Sequence, residues 1–402
     1  MKQRHITTSL GTVMILAVVF YFLQRDRTGE VKPDTVRRHL AARETVTGET
    51  EQEIERDGRW RRAQNPLADF SEEETARLTH LHALPYVQGS QPATERSSVT
   101  IHIPDRAYAG LNLYNSGHLP EAFLVDMDGN VIHSWRLDVK DVWPTAKKQL
   151  SNTYWRRVHP FPNGDLLVLF DNHGLVRIDR DSRIVWKHRD FFHHDMDVAA
   201  DGTIYALAHR AMRINQINRR DLVLPDYITI LDSTGVELER HSLLECIENS
   251  SYERLNHAIP RQLKDIFHTN SIRVFDGKMT HASRNYKKGN VLLSILRLDA
   301  IVIIDPRQSK VVWAFSGRDR KMFSKQHDPT LLPRGSMLLF DNRGHNGHSK
   351  VLEFDPETGD IIWQVSDSEA FPFYSKTCGT AERLPNGNTL VTESDNGRAF
   401  EV

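Results

Sequence analysis

The sequence predicts an all-β protein: a six-bladed β-propeller preceded by an N-terminal transmembrane helix and a short, partly helical stalk. Three observations lead to this fold class. An uncharged apolar run opens the chain, a polar and charged stretch follows, and short β-rich segments then recur. Two strand hairpins in each repeat of roughly 50 residues, with no long helix between repeats, are typical of propeller blades.

The apolar run covers residues 6–23 and contains no charged residue. As a helix it would be about 27 Å long, enough to cross the hydrocarbon core of a bilayer. It ends in large side chains and then meets Arg25, whereas signal peptidase cleaves after small residues, so an uncleaved anchor is favoured over a cleaved signal peptide. We therefore predict a signal anchor over residues 1–28. The usual orientation of such an anchor makes this a single-pass membrane protein with a periplasmic or extracellular propeller.

Residues 29–98 are polar and charged and predict a stalk. Ser71 and Glu74 have the spacing of a capping box, which predicts a short helix that ends at Leu84. The charges of this segment are typical of a solvated surface. No excess of positive charge indicates a nucleic-acid partner, because the chain has 52 Lys and Arg against 53 Asp and Glu.

Residues 99–402 carry the repeats. One signature is an apolar strand, an aspartate, a turn and a strand that ends near tryptophan, and a second is a glycine-centred turn before an apolar strand. The aspartates are Asp126, Asp179, Asp232, Asp305 and Asp355. We expect them to fix turns, and the tryptophans to lie in the core. With the final segment, residues 387–402, these repeats make six blades. The last blade stops before its fourth strand, so either an N-terminal strand closes it or its edge is open.

The two cysteines, Cys246 and Cys378, fit one disulfide or two thiols, and their spacing leaves both alternatives open. Histidine is more informative, since the chain has 20 of them. Polar clusters interrupt the β-rich pattern at equivalent places of several repeats, just upstream of a blade's second strand. Because such segments face the propeller axis, the clusters predict a common site there. They are His193-His194-Asp195, Phe267 to Asn270, Ser294 to Arg297, and Gln326-His327-Asp328.

These segments resemble the bacterial aryl sulfotransferase (arylsulfate sulfotransferase) family, over about Gly110 to Val402 and with the same motif order. The runs FHTN, QHD and RLPNGNTLVTESDNGRAFEV carry the resemblance. It implies a six-bladed propeller that transfers a sulfuryl group from a phenolic sulfate ester to a phenol by a ping-pong route. It implies no cofactor and no nucleotide donor, and the sequence has no glycine-rich phosphate loop.

By the same resemblance, His327 is the nucleophile that forms a sulfohistidine. His268 and Asn270 match the pair that holds the sulfuryl oxygens, and Arg297 matches the family's arginine. A neutral imidazole can attack sulfur, and fixed donors stabilise the sulfuryl oxygens as charge redistributes. His268 is also our candidate for protonating the leaving phenolate.

The family's remaining active-site histidine matches His194, with His193 as a rival for that role and a candidate substrate-binding residue. The oligomeric state and the identities of donor and acceptor stay open.

Three other interpretations compete. A metal site could use His193-His194-Asp195 or His345-Asn346-Gly347-His348, but neither spacing is a standard zinc motif, and we expect no metal. A quinoprotein-like dehydrogenase fits the run DPETGDIIW loosely. An anchored, non-catalytic propeller that binds a partner or a sulfated ligand is the third, because propellers host many functions. His327 separates this last alternative from an enzyme, since a binding module needs no nucleophile.

Overall fold

A computed structural model describes residues 16–17, 98–117, 119–144, 154–344, 347–369 and 371–402. The strands form six separate sheets, and consecutive strands of the chain are neighbours within each sheet. These sheets are the blades of a propeller, so the predicted six-bladed, all-β architecture is confirmed.

The first blade contains β1 (Leu16–Ala17), β2 (Asn112–Asn115), β3 (Glu121–Val125) and β4 (Val131–Arg136). β1 pairs with β2 in parallel, and the other neighbours pair antiparallel. A short helix, α1 (Val139–Val142), leads to the second blade. The side chain of Asp138 caps it by accepting a hydrogen bond from the Lys140 amide.

The next four blades each contain four antiparallel strands. Blade two has β5 (Trp155–Pro160), β6 (Leu166–Phe170), β7 (Gly174–Ile178) and β8 (Ile184–His188). Blade three has β9 (Phe192–Val198), β10 (Ile204–His209), β11 (Asp226–Leu231) and β12 (Glu237–Ser242). Blade four has β13 (Thr269–Val274), β14 (Val291–Ile295), β15 (Ala300–Asp305) and β16 (Lys310–Ser316). Blade five has β17 (His327–Leu331), β18 (Met337–Asp341), β19 (Lys350–Phe354) and β20 (Ile361–Ser366).

Short helices lie in the connections between strands. Helices α2 (Leu243–Glu248) and α3 (Glu253–Ala258) follow blade three, and α4 (Gly317–Arg320) follows blade four. Single turns of 3-10 helix cover Arg284–Tyr286, Leu296–Leu298 and Pro306–Gln308.

Blade six has three strands: β21 (Thr380–Arg383), β22 (Thr389–Glu393) and β23 (Arg398–Glu401). The three strands agree with the predicted lack of a fourth strand, and no strand of the described residues, N-terminal or other, pairs with the outer side of β23. Side chains close the ring instead. Tyr114 and Val125 of blade one pack with Leu390 and Ala399 of blade six, and the Glu401 carboxylate accepts a 3.0 Å hydrogen bond from the Tyr108 amide.

The core consists of one apolar cluster at each of the six blade interfaces. This explains why the second strands of blades two to five are nearly continuous apolar runs. Alternate side chains point to the two neighbouring blades, so both faces of each strand are buried. The smallest cluster is the one that joins blades six and one.

Most members of the two repeat signatures have the predicted roles. The exceptions are Asp305, which accepts a hydrogen bond from the Gln308 side chain, and the partly buried Trp186, Trp313 and Trp363. Four of the aspartates fix turns by accepting hydrogen bonds from backbone amides two to four residues later. They are Asp126, Asp179, Asp232 and Asp355. The tryptophans join neighbouring blades: Trp135 Nε1 donates to the Gly164 carbonyl of blade two, 3.2 Å away.

Among the described residues, no helix is long and apolar enough to cross a membrane. Apart from Leu16–Ala17 and Ser98, the predicted anchor and stalk, including the helix from Ser71 to Leu84, lie outside the described residues. Both cysteines are free thiols. Cys246 is buried in the cluster between blades three and four, whereas Cys378 lies at the propeller axis.

Substitution of Gly174 would test the packing of blade two. Its φ is +151°, and an added Cβ would meet the His188 carbonyl oxygen and lie 2.7 Å from the Trp143 ring. We therefore expect Gly174→Ala to lower the free energy of unfolding by about 2 kcal/mol or more. The matched control is Gly110→Ala, where no atom lies within 4 Å of the added carbon. Urea denaturation of both variants measures the difference, and equal stabilities would contradict this account.

Candidate active site

Five innermost strands approach the propeller axis with the same polarity, and their first residues meet at one end. Arg156 lies on β5, His194 on β9, Asn270 on β13 and His327 on β17, and Cys378 lies two residues before β21. These residues come together because the first strand of each repeat is the innermost strand of its blade and runs in the same direction along the axis. The polar clusters therefore occupy the innermost strands, as expected from the repeat register.

The backbone is irregular where these strands begin. The register shifts in the pairing of the first and second strands of blades two to five. Four non-glycine residues at this end have positive φ: His194 at 57°, His268 at 50°, Asp328 at 53° and Cys378 at 54°. Such bulges re-aim side chains near functional sites. Each left-handed residue costs roughly 1 kcal/mol or more, so the surrounding blades must hold this geometry in place.

The strand ends line one axial pocket. Cationic, imidazole, amide and thiol groups share its wall with two carboxylates. Its lining residues are Arg156, Arg157, His194, Asp195, Asn270, Ser271, His327, Asp328, Cys378, Gly379, Thr380 and Ser394.

The environment of His327 fixes its tautomer. Its Nδ1 lies 2.7 Å from Asn342 Oδ1 and 3.1 Å from the Lys325 carbonyl oxygen. Both oxygens are acceptors, so Nδ1 must carry the hydrogen. Asn342 is itself oriented, because its Nδ2 donates to the carbonyl oxygens of Ser375 and Cys378. Nε2 of His327 therefore carries a lone pair.

His327 is also neutral. Burial lowers the pKa of His327 from 6.5 to about 3, although the hydrogen bond with Asn342 acts in the opposite direction. Arg156 further disfavours protonation. The result is an uncharged imidazole with one available nitrogen, which is the form that acts as a nucleophile.

Three histidines form a chain behind the pocket. His193 Nδ1 lies 2.8 Å from His194 Nδ1, and His194 Nε2 lies 3.2 Å from His268 Nε2. His268 Nδ1 is 2.5 Å from the Asp265 carboxylate, which also accepts a hydrogen bond from the His268 amide. Burial lowers the pKa of His194 well below 6.5 and the pKa of His193 to about 3. Only His194 of these three histidines lines the pocket.

Arginine is present in the pocket, but at a different position from the predicted one. Arg156 lines the pocket, and its guanidinium Nη1 lies 3.7 Å from Cys378 Sγ. Arg297 lies on the 3-10 turn Leu296–Leu298 and forms an ion pair with Asp265 at 3.8 Å, outside the pocket wall. Among the predicted residues, the structure thus brings His327, His194 and Asn270 into the wall and places His268, Arg297 and His193 behind it.

Asn270 belongs to a buried polar network that holds the strand bearing His327. Its Nδ2 donates to the Gln326 carbonyl at 2.9 Å, and the Ser294 hydroxyl donates to the same oxygen at 3.1 Å. The Gln326 side chain in turn donates to Ser294 Oγ and to the Ala300 carbonyl. Asn270 retains a second amide hydrogen for a ligand.

A second charged network lies deeper along the axis. Arg273 donates to Asp195 Oδ2 at 2.7 Å and also to Asp328 Oδ1, and Arg157 pairs with Asp195 Oδ1 at 3.0 Å. Burial alone would lower the pKa of Arg273, but the carboxylates of Asp195 and Asp328 raise it above its ordinary value. The network connects blades two, three, four and five.

The metal alternatives from the sequence are not brought together as proposed. Asp195 pairs with arginines and does not join His193 and His194, whereas His345 and Asn346 lie outside the described residues. Two other groups of side chains within the described residues have ligand atoms close enough for a metal ion. They are His193, His209 and Asp226, and His188, Asp190 and Glu237.

Sequence reasoning missed Arg156, Asn342 and Asp265. A signal for Arg156 was present, because three wall residues occupy the same offset before the glycine of the following turn. These pairs are Arg156 with Gly164, His194 with Gly202, and His327 with Gly335. No comparable pattern marks Asn342 or Asp265, whose roles depend on contacts between parts of the fold.

A known protein family matches most of the propeller. A family model described as Arylsulfotransferase (ASST) matches residues 157–402, more than half of the chain. No curated protein matches the chain significantly. A protein of unknown function from Bacteroides caccae is similar in structure, with 13% identity, a TM-score of 0.44, and coverage of 68% of this chain and 79% of that one. BamB from Moraxella catarrhalis has 10% identity, a TM-score of 0.36, and coverage of 73% and 81%.

The neutral state of His327 predicts a pH dependence of stability. Its folded pKa of about 3 lies below the ordinary value of 6.5, so between these values the unfolded chain binds one more proton. Stability is therefore lost as the pH falls below 6.5. We expect His327→Gln to reduce this slope by at most about 1.4 kcal/mol per pH unit, the value for one proton. Urea denaturation from pH 7 to 5 tests this, and identical slopes would contradict a neutral, buried His327.

Proposed function

The chain belongs to the arylsulfotransferase (ASST) family, and we propose that it transfers a sulfuryl group from a phenolic sulfate ester to a phenol. The observation that carries this proposal is the state of His327. Its imidazole is neutral, lines the axial pocket and keeps its Nε2 lone pair, because Nδ1 is committed to two acceptor oxygens. A site that only binds a sulfate ester would be better served by a charged donor at this position.

In the first half-reaction, the His327 Nε2 lone pair forms a bond to sulfur while the bond between sulfur and the aryl oxygen breaks. The electron pair of that bond leaves with the phenolate, and the enzyme holds a sulfohistidine. In the second, the acceptor's phenolic oxygen bonds to sulfur, the N–S bond breaks, and its electron pair returns to Nε2. This ping-pong route replaces one difficult displacement with two easier ones.

Arg156 and Asn270 are placed to stabilise the sulfuryl oxygens. Both line the pocket together with His327. Arg156 supplies a permanent cation with several donors, which suits an anion whose charge is spread over three oxygens. Asn270 supplies an amide hydrogen from a side chain that is 6% exposed and held by the Gln326 carbonyl. Because these donors are fixed before the substrate arrives, they need little reorganisation during the reaction.

His268 is the candidate proton donor to the leaving phenolate. The Asp265 carboxylate 2.5 Å from Nδ1 stabilises a protonated ring, and Nε2 points to His194 on the pocket wall. We propose that the phenolic oxygen replaces His194 as the acceptor of the Nε2 hydrogen. The acceptor phenol returns that proton in the second half-reaction, so no proton is lost or gained overall. Arg297 acts as a positioning residue through its ion pair with Asp265.

Membrane attachment is a separate part of the proposal. The uncharged run at residues 6–23, with Lys2 and Arg4 before it, supports a single-pass anchor. The described residues of this run, Leu16 and Ala17, disagree with a helix there, because they form β1 and pair with β2 of blade one. An anchor would place the propeller in the periplasm or outside the cell and give it access to phenols that do not enter the cytoplasm.

A single-turnover assay with a chromogenic phenyl sulfate tests the proposed route. The full chain should release a burst of phenol and gain the mass of one sulfuryl group, and His327→Ala should lose both. We expect the variant to lose about 10³-fold or more of the rate. Isothermal titration with the same ester provides the control, because His327→Ala should still bind it. If neither protein releases phenol and both bind the ester equally, the chain is a binding module.

The two arginines can be distinguished by parallel substitutions. Arg156→Lys keeps the charge but removes the planar fork, so we expect a fall in kcat of about 10- to 100-fold. Arg297→Lys, which changes the ion pair with Asp265 behind the wall, should change kcat less and shift the pH profile of kcat instead. Steady-state kinetics across pH 6 to 9 provides both readouts. A larger loss of kcat in Arg297→Lys would assign the sulfuryl contact to Arg297.

A further inference from the structure

Three consecutive strands of blade three bring two imidazoles and a carboxylate together behind the pocket. His193 lies on β9, His209 ends β10 and Asp226 begins β11. His209 and Asp226 are direct cross-strand partners, and the Phe192–Ala208 pair holds the adjacent residues in register. The three side chains thus project from paired strands of one sheet, which holds them close together before any ligand binds.

The donor atoms of this cluster converge. The rings of His193 and His209 are stacked, with centroids 4.7 Å apart and planes inclined by 21°. His193 Nε2 lies 3.5 Å from Asp226 Oδ1, and one atom from each of the three side chains lies within 4.8 Å of the others. In a tetrahedral zinc site, bonds of about 2.0–2.2 Å place neighbouring donors roughly 3.3–3.5 Å apart. The His193–Asp226 separation already has this value, and the His209 donor lies within 4.8 Å of both other donors.

His193 Nε2 is buried and without a hydrogen-bond partner in the described part of the chain. The side chains of His193 and Asp226 are 4% and 2% exposed, yet the nitrogen and the carboxylate do not form a hydrogen bond across their 3.5 Å separation. Buried polar atoms are nearly always satisfied, so an orphan nitrogen aimed at a carboxylate indicates a missing group between them.

The carboxylate of the cluster has no countercharge among the described residues, and a bound cation would supply one. Asp226 Oδ2 accepts a hydrogen bond from the Thr269 amide, but no lysine or arginine of the described residues pairs with this carboxylate. A buried carboxylate without a countercharge is costly. The second cluster differs in this respect, because its Asp190 is already paired with Arg240 and Arg210.

We propose that His193, His209 and Asp226 bind a divalent metal ion of the zinc class. Two imidazoles and one carboxylate suit zinc and its transition-metal neighbours better than calcium or magnesium, which prefer oxygen ligands. His209 is partly exposed, so this side gives the ion an entry path and leaves a position for water. This inference is independent of the proposed sulfotransfer.

Metal binding would also affect the pocket through His193. An imidazole that ligates a metal through Nε2 carries its hydrogen on Nδ1 and usually donates it to a second group. Here that group is His194 Nδ1, 2.8 Å away, and His194 lines the pocket. A neutral His194 would then carry its single hydrogen on Nε2 and donate it to His268 Nε2, so metal binding would oppose the proton donation proposed for His268.

The test is metal binding by the full chain, stripped with a chelator and dialysed against Zn²⁺ or Co²⁺ at pH 7.5. We expect one bound ion per chain, ligand-field bands of Co²⁺ at an intensity typical of four- or five-coordination, and a higher melting temperature with Zn²⁺. His209→Asn should weaken Zn²⁺ binding by about 100-fold and abolish the cobalt bands. The matched control is His188→Asn in the second cluster, which should leave the affinity unchanged.

Asp226→Asn provides a second variant, because it is isosteric and removes only the charge; it should also weaken binding by about 100-fold. Circular dichroism of each stripped variant shows that it is folded. Absence of Zn²⁺ and Co²⁺ binding by the wild-type chain would overturn the proposal. The same affinity in folded His209→Asn or Asp226→Asn as in the wild type would also overturn it, since the ion would then bind elsewhere.

Discussion

The ion network of Arg273, Asp195 and Asp328 is the constraint on which the axial site depends. Arg273 of blade four is held by a carboxylate from blade three and another from blade five, and Arg157 of blade two extends the network. Breaking one partner of a buried ion pair leaves an uncompensated charge, so the blades cannot separate at the axis without a large cost. Asp195 and Asp328 directly follow His194 and His327. The groups that hold the blades together therefore also fix the two histidines at the pocket.

This arrangement explains how the site tolerates an unfavourable backbone. Positive φ at His194, His268, Asp328 and Cys378 has a cost in four of the blades. The stabilisation comes from further out, where alternate side chains of the buried strands fill the clusters between blades. A propeller allows this separation, because the side chains between the blades stabilise the fold whereas the ends of the innermost strands form the site. The pocket can then be polar and irregular without loss of the fold.

The fold was predictable because its signals are local and repeated. Strand, aspartate, turn and tryptophan recur in each blade, and their contacts are either within a turn or with the next blade. His327, His194 and Asn270 were predictable for the same reason. Arg297 was placed in the pocket by resemblance, whereas its side chain reaches Asp265. Asn342 and Asp265 could not be found, because their effects depend on hydrogen bonds across loops that carry no repeat pattern.

The chemistry of the pocket follows from combining a neutral nucleophile with a fixed cation. If His327 were protonated, its Nε2 could not attack sulfur, and its charge would duplicate that of Arg156. Burial and the nearby arginine keep it neutral, while Asn342 determines which nitrogen is available. Without Asn342 the ring could turn its hydrogen toward the pocket and become a donor. Under the proposed mechanism, the Asn342 amide and the Lys325 carbonyl together keep His327 in the tautomer that can attack sulfur.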